Sequence, residues 1–505
     1  MKTLTRYTLA IACLVLFTTS SIAQSENIFH DRKFWKEQPS LKEVKAKIKE
    51  GNSPTALTEH NFDAIGYAIL EKAPLKTIKF LLTQGNDVNK LTHDARTYVF
   101  WAAYKGNLEL MKFLVEMGAK TNLIDQHGYS LLMFTAVTGQ EDQAIYDYIL
   151  ELGADIISER DRSGRDALLA YISSTKTGNM IEYFIKKGLN IHSLDEKGNG
   201  AFNYAAKTGD KELMERLIND YEVNTQVNEK TNENAILFAS TRFSREGLET
   251  SIEFYQYLQG LGLDPAIVSK DGKTVLHNLA FRSNNKELFE FFIKQGVDVN
   301  QVDSEGNTAL INASSRRNEE IISYLLDITE NINHQNKDGL SAFARALKYH
   351  KLEIAKLIAS NGAETNVVDN KGYNLSYHLV DAFRNMKTFT EKMNYLISVG
   401  HDPSIAQKDG STLLHAAINK ENVELLKYLV RMGIDINTKD NSGQTVLHYA
   451  AMQADDETIL KYLIEAGADK SMTTEFDESA HDLAQANEIL VENNTNIDFL
   501  KTGGE

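Results

Sequence analysis

The feature that most constrains the fold is a ten-residue segment that the chain repeats. The sequence reads SGQTVLHYAA at Ser442–Ala451, and close copies read DGSTLLHAAI at Asp409–Ile418 and DGKTVLHNLA at Asp271–Ala280. The glycine of this segment recurs every 33 to 40 residues when Asn232 is counted in its place once. The glycines of the series are Gly128, Gly164, Gly198, Gly272, Gly306, Gly339, Gly372, Gly410 and Gly443. Such a period predicts a stack of small units rather than several independent domains.

The same register continues on both sides of the glycine series. Backwards it reaches Ala95 and Asn61, and forwards it reaches Asp477, where ESAHDLA is a shortened copy. About twelve units and a fragment therefore occupy most of the chain.

The segment Gly410–Asn437 shows the internal pattern of one unit. Ala416 and Ala417 permit close approach of helices, NKEN interrupts the first helix, and apolar residues then recur at helical spacing. Gly433 follows as a left-handed stop for the second helix. Each unit is therefore predicted to be helix, turn, helix and loop.

A period of 33 with T-x-L-H-x-A, a second helix and G-x-D-x-N resembles the ankyrin repeat. The resemblance covers roughly residues 59–495. It implies an all-α ankyrin-repeat solenoid of about twelve helix-turn-helix units with hairpin-like loops and caps. It also implies that the Thr and His of the motif hydrogen-bond the backbone and join neighbouring loops. These roles fall on Thr274 and His277, Thr412 and His415, and Thr445 and His448.

The chain is expected to have four parts. Residues 1–23 are predicted to be a signal peptide, 24–58 an N-terminal capping helix region, 59–473 the ankyrin repeats, and 474–505 a partial repeat, C-terminal cap and tail. The caps are predicted within Pro39–Asn52 and Ala480–Asn494, because the end faces of a stack need covering.

The first residues have the composition of a secretory signal. Lys2 and Arg6 precede the apolar run Leu9–Phe17, and small residues suit cleavage after Ala23. The alternative is a lipoprotein acceptor at Cys13, but the usual Leu before it is missing and the apolar run continues past it. Export predicts a periplasmic or extracellular protein. No later segment approaches the roughly 20 apolar residues of a transmembrane helix.

Composition argues against several chemistries. Cys13 is the only cysteine and lies in the predicted signal peptide, so thiol catalysis, disulfides and cysteine-ligated metal are not expected. Acidic residues exceed Lys and Arg by 16, and by 18 after removal of Lys2 and Arg6. This excess argues against nucleic-acid binding, which relies on phosphate neutralisation by Lys and Arg.

The motifs of common enzymes do not occur. The sequence has no H-E-x-x-H, G-x-S-x-G, G-x-x-x-x-G-K or G-x-G-x-x-G pattern. Asp-rich loop ends such as Val302–Gly306 lack calcium-loop spacing, so their Asp is expected to hydrogen-bond its own backbone. We predict no catalytic residue, no metal site and no cofactor, and therefore no enzyme activity.

A candidate binding surface is formed by the two residues that follow the small pair in each first helix. In the resembled family, partners dock in the concave groove, which these positions would face. The candidate residues are Tyr104, Lys105, Lys207, Arg242, Phe281, Arg282, Arg316, Lys348, Tyr349 and Lys420. The cations can be solvated helix ends that favour the helix dipole, or a basic stripe for an acidic protein partner.

A second column follows the motif His position and changes character along the chain. Aromatic side chains in such a column either pack between helices or form a shelf for a ligand. The column includes Tyr67, Trp101, Phe134, Ala170, Tyr204 and Phe238, followed by Asn278, Asn312 and Arg345.

Two functions follow from these patterns. The first is an exported, monomeric scaffold that binds another protein through its concave groove. The alternative is an accessory or hydrolytic enzyme-associated protein with a site in the enlarged units 232–271 and 372–409. These units contain TRFSREGLETS and DAFRNMKTFTE, which are expected in loops between helices. The scaffold is favoured because neither insertion shows an acid, base or nucleophile cluster.

Overall fold

The computed structural model describes residues 27–175, 177–242, 250–316, 318–349 and 352–502. The predicted signal peptide lies outside these ranges. The chain divides after Asn224 into two compact units. Within the described residues, extended pairing is limited to three isolated bridges, Asn228 with Glu233, Val368 with Asn374 and Thr473 with Ser479. The prediction of an all-α chain is confirmed.

From residue 27 onwards, the first unit has two N-terminal helices followed by helix pairs. Its helices are α1 (Arg32–Lys36), α2 (Leu41–Lys49), α3 (Ala64–Leu70), α4 (Leu75–Leu82), α5 (Tyr98–Tyr104), α6 (Leu108–Glu116), α7 (Leu131–Val137), α8 (Gln143–Glu151), α9 (Ala167–Ile172), α10 (Ile181–Lys186), α11 (Ala201–Thr208) and α12 (Lys211–Asn219). The first helices α3, α5, α7, α9 and α11 contact one another in sequence order. Each pair therefore buries its apolar face against its neighbours.

The second unit continues the same pattern. Its helices are α13 (Ala235–Ala239), α14 (Ile252–Gly260), α15 (Val275–Arg282), α16 (Lys286–Lys294), α17 (Ala309–Ala313), α18 (Glu319–Ile328), α19 (Ala342–Tyr349), α20 (Leu352–Ser360), α21 (Leu375–Asp381), α22 (Met386–Ser398), α23 (Leu413–Ile418), α24 (Val423–Arg431), α25 (Val446–Gln453), α26 (Thr458–Glu465), α27 (Ala480–Ala486) and α28 (Glu488–Glu492). The first helices from α15 to α27 contact one another in order.

Helices also form at both ends of the repeats. Ser40 and Glu43 form a capping box at the start of α2, which contacts α4. At the other end, Asn487 separates α27 from α28 and caps α28, while its side-chain amide donates to Ala451 O and Ala454 O. These bonds attach the terminal helices to the last complete pair.

The backbone confirms the repeat register where glycine is absent. Asn61, Ala95, Asn232 and Asp477 have φ angles of 59°, 58°, 55° and 57°. Residues other than glycine rarely adopt this left-handed backbone conformation. The four residues therefore occupy the turn that glycine occupies in the other units.

Two glycines show why this residue dominates the pattern. Gly272 has φ +74°, and a Cβ there would lie 2.6 Å from Val302 O in the next loop. Both its conformation and the close approach of the neighbouring loop therefore require glycine. Gly433 has φ +82° directly after the end of α24, which confirms the predicted helix stop.

The loops between pairs are hairpin-like and bonded to one another. Asp125 Oδ1 accepts from the backbone N–H groups of His127 and Tyr129, which confirms the predicted role of Asp in these turns. Neighbouring loops are joined by backbone bonds such as Gln126 N to Asp94 O at 2.8 Å. The loops therefore add directional contacts to the apolar stacking of the helices.

A ladder of Lys and aromatic residues joins the second helices. In each step, a lysine of one second helix lies over the aromatic ring of the next. Lys79 Nζ lies 4.4 Å from the Phe113 ring centroid, within the range of a cation–π interaction. Similar pairs are Lys45 with Phe80, Lys112 with Tyr148, Lys286 with Tyr324, Lys356 with Tyr395 and Lys427 with Tyr462.

Candidate protein-binding surface

The histidines of the motif connect successive repeats. His277 Nδ1 accepts from the Thr274 backbone N–H at 3.1 Å, so Nε2 bears the proton and donates to Asn307 O at 3.0 Å. His415 and His448 make the same bonds, with Nε2 3.2 Å from Gln444 O and 3.1 Å from Met472 O. The predicted structural role of the Thr and His residues is confirmed.

Burial disfavours the charged form of these imidazoles. Desolvation lowers the pKa of His277, His415 and His448, although their carbonyl partners act in the opposite direction. The same cause lowers the pKa of two further buried histidines, His378 and His401. All five lie in the second unit.

The column after the motif His packs between repeats. Trp101 and Phe134 are buried and meet edge to face, with ring centroids 5.9 Å apart. In the second unit, Asn278 Nδ2 donates to Ser240 Oγ of the preceding repeat at 2.9 Å. Arg345 similarly donates to Asn307 at 3.1 Å. The packing interpretation of this column is therefore supported over a ligand shelf.

The candidate binding residues all lie in the last turn of a first helix or within three residues after it. Their environments nevertheless differ. They are placed at the ends of α5 (Tyr104, Lys105), α11 (Lys207), α13 (Arg242), α15 (Phe281, Arg282), α17 (Arg316), α19 (Lys348, Tyr349) and α23 (Lys420).

Arg242, Arg282 and Arg316, together with Phe281, form what we call the arginine cluster. Arg242 and Arg282 line one cavity of about 160 Å³, and the Arg316 guanidinium lies 5.5 Å from the Phe281 ring centroid. Partial burial and the positive charge of Arg316 lower the pKa of Arg282. Within the described residues, no carboxylate lies within 4.0 Å of the three guanidinium groups. The cluster therefore concentrates positive charge in three consecutive repeats.

The lysines of the later repeats share one carboxylate instead. Lys348 Nζ lies 2.9 Å from Asp381, and Lys420 Nζ lies 3.7 Å from the same carboxylate. Partial burial acts to lower the pKa of Lys348, but its hydrogen bond to Asp381 and that charge raise it overall. The sequence did not reveal these pairs, because the residues are more than 30 positions apart and equivalent positions in other repeats lack the acid.

In the first unit the candidate residues are mixed in character. Tyr104 is exposed, and Lys105 Nζ lies 5.2 Å from its ring centroid. Partial burial and the charge of Lys72 lower the pKa of Lys105. Lys207 is half-buried at the end of α11. Of the candidate residues, the structure brings together one cation and one ring here, and the other cation that acts on Lys105 is Lys72.

The two insertions differ. Residues 243–249 of the first insertion lie outside the described residues. The second insertion extends a helix: α22 has 13 residues, whereas α18, the next longest described second helix, has 10. The expectation of a loop is therefore only partly correct, since the loop is confined to residues 382–385.

Neither a metal-binding group nor a membrane-spanning helix is found in the described residues. Among them, no group of three or more His, Cys, Asp or Glu side chains is arranged to hold a metal ion. In the same part of the chain, every helix is too short or too polar to cross a bilayer.

Comparison with protein families gives one consistent match. A family model that describes three successive ankyrin repeats matches the chain in four places, at residues 65–160, 245–336, 276–369 and 379–474. Together these ranges cover more than half of the chain.

Individual relatives are similar at low identity. An ankyrin repeat protein of Rickettsia felis is 25% identical over 346 residues, which cover 64% of this chain and 88% of that protein. An ankyrin repeat protein of Acanthamoeba polyphaga mimivirus is 23% identical, covering 60% of this chain and 34% of the relative. Human transient receptor potential cation channel subfamily A member 1 is 23% identical, and the alignment covers 69% of this chain and 31% of the channel subunit. The alignments thus span only about a third of the latter two.

A solved structure of the ankyrin repeat domain of Bcl-3, a member of the IkappaB protein family, is also similar. The two share 18% identity and a TM-score of 0.35, over 44% of this chain and 100% of that domain.

Proposed function

This chain belongs to the ankyrin repeat family, and from that premise we propose that it is an exported, monomeric scaffold that binds an acidic segment of another protein. Ankyrin repeats generally serve as protein–protein interaction scaffolds. The observation that carries the finer proposal is the arginine cluster, whose three guanidinium groups have no carboxylate partner among the described residues. The scaffold needs no chemistry of its own.

The cluster suits carboxylates for two physical reasons. Guanidinium groups present planar forks of N–H donors that match a carboxylate in bidentate geometry. Three cations in neighbouring repeats also repel one another, and a bound anion relieves that repulsion. An acidic segment therefore gains more here than at Lys348 and Lys420, where Asp381 already supplies the negative charge.

Affinity capture with the chain lacking residues 1–23 tests the proposal. Three baits are compared at low salt: the native chain, an Arg242→Glu, Arg282→Glu, Arg316→Glu variant, and a Lys36→Glu, Lys42→Glu, Lys49→Glu variant. The last makes the same charge change at exposed lysines near the N-terminus. We expect the native and lysine baits to retain one acidic protein that the arginine variant loses. Equal retention by a folded arginine variant would show that the cluster is solvated surface.

Export is proposed from the order of charged, apolar and small residues in positions 1–23. The protein in envelope or secreted fractions is expected to begin at Gln24, because cleavage would follow Ala23. N-terminal sequencing checks this, and material from those fractions that still begins at Met1 would contradict it.

A further inference from the structure

The enlarged repeat formed by α21 and α22 lines a cavity that lies outside the arginine cluster, although Lys348 and Tyr349 of the candidate binding residues form part of its wall. Its volume is about 700 Å³, within the range of small-molecule sites. Phe383 and Phe389 contribute apolar walls, and Arg384, Asn385 and Lys392 contribute polar ones. All five residues belong to the inserted segment or to the helix that it extends.

Lys392 is the unusual member of this wall. It is only 6% exposed, yet no carboxylate pairs with it among the described residues. Its ammonium group donates to Leu347 O at 2.5 Å and weakly to Lys348 O at 3.5 Å. An ammonium group has three N–H donors, so one donor has no partner in the part of the chain that the structure describes. A buried cation without a counter-charge is costly, and an anion in the cavity would offset that cost.

Other charges around the cavity add to the positive potential. Arg384 is exposed and has no acidic partner among the described residues. Both cations line the cavity, and burial and then the charge of Arg384 lower the pKa of Lys392. The cavity also opens at the N-terminal end of α22, where the helix dipole favours an anion. The one acid in the wall, Asp381, is neutralised by two lysines.

We propose that this cavity binds a carboxylate group carried on an apolar or aromatic body. The carboxylate lies between Lys392 and Arg384, and the body packs against Phe383 and Phe389. The ligand is a small carboxylic acid or the C-terminal residue of a peptide, which share this chemistry. This site is separate from the arginine cluster and does not depend on it.

Calorimetric titration of the chain lacking residues 1–23 with 3-phenylpropionate, its amide and the tripeptide Ala-Ala-Phe tests the site. We expect one molecule of the acid to bind, and the amide to bind at least about tenfold more weakly, because it lacks the charge. The tripeptide should bind only when its carboxyl terminus is free. Whichever of 3-phenylpropionate and the tripeptide binds more tightly identifies the ligand as a small carboxylic acid or as the C-terminal residue of a peptide. Equal binding of acid and amide, or no binding of either acid at about 10 mM, would overturn the proposal.

Two variants locate the carboxylate. Lys392→Met and Arg384→Gln should each weaken binding of the acid by about tenfold and leave the amide unaffected. Arg384 is exposed, so this variant tests the site even if Lys392→Met does not fold. Arg431→Gln, at another exposed arginine of the second unit, is the matched control and should bind the acid as the native chain does. If Arg384→Gln retained full affinity for the acid, or Arg431→Gln lost it, the assignment would be wrong.

Discussion

Replacing Leu426 with Ala is expected to lower the free energy of unfolding of the second unit by about 2 to 5 kcal/mol. Leu426 lies in α24 and is fully buried, so the substitution removes apolar contacts and leaves a cavity. Because each repeat contacts mainly its neighbours, the loss should be greatest near α24. The first unit is compact by itself and should be unaffected.

Hydrogen exchange measured peptide by peptide shows where along the chain stability is lost. Peptides from α23 to α26 should exchange faster in the variant, while those from α3 to α12 should be unchanged. Leu194→Ala is the control, since the same atoms are removed from a side chain that is 60% exposed. Uniform acceleration along the whole chain would contradict repeat-by-repeat stability.

Acidification is expected to loosen the second unit, because burial disfavours the charged form of five histidines there. Burial lowers the pKa of His277, His378, His401, His415 and His448. The unfolded chain then takes up protons that the folded chain does not. The stabilisation is fully present above the unfolded pKa of about 6.5 and is lost as the pH falls below that value towards the folded pKa.

Hydrogen exchange at about pH 7.5 and pH 5.5, corrected for the intrinsic effect of pH, tests this prediction. Opening free energies in the second unit should decrease at the lower pH more than those in the first unit. His277→Asn should reduce this decrease in the opening free energies of the second unit, whereas His192→Gln, at an exposed histidine, should not. Equal decreases in both units would show that buried imidazoles do not control acid stability.

The repeat register was predictable because it depends on local backbone geometry. A turn with positive φ recurs at fixed spacing, and Asn232, Ala95 and Asp477 could be placed in it by counting alone. The same counting placed the motif histidines, whose backbone partners lie in the following loop, 30, 29 and 24 positions further along the chain.

The charges of the candidate sites could be predicted only in part. The sequence showed the column of basic residues but not which of them have acidic partners. Asp381 pairs with Lys348, whereas Arg316 has no acidic partner among the described residues. Lys392 resembles an ordinary solvated lysine in the sequence, and only the folded chain shows that it is buried and donates to Leu347 O at the end of α19. Such contacts join residues 30 to 45 positions apart through three-dimensional packing, which local patterns do not record.

The proposed role of the arginine cluster depends on attraction between the scaffold and an acidic partner. One exposed ion pair contributes only about 0.2 to 1 kcal/mol, so single substitutions are a weak test. Reversal of three charges in consecutive repeats should instead remove electrostatic steering, which changes association rates by 10-fold to about 1,000-fold. Circular dichroism provides the check that the variant is folded.

The most direct measurement is therefore the association rate constant of the captured partner at about 50 and 300 mM salt. The native chain and the Lys36, Lys42, Lys49 variant should associate rapidly at low salt and more slowly at high salt, because salt screens attraction. The folded Arg242→Glu, Arg282→Glu, Arg316→Glu variant should associate slowly at low salt, with a rate that stays constant or rises with salt. If that variant showed the native rate and the native salt dependence, the arginine cluster would not be the binding surface.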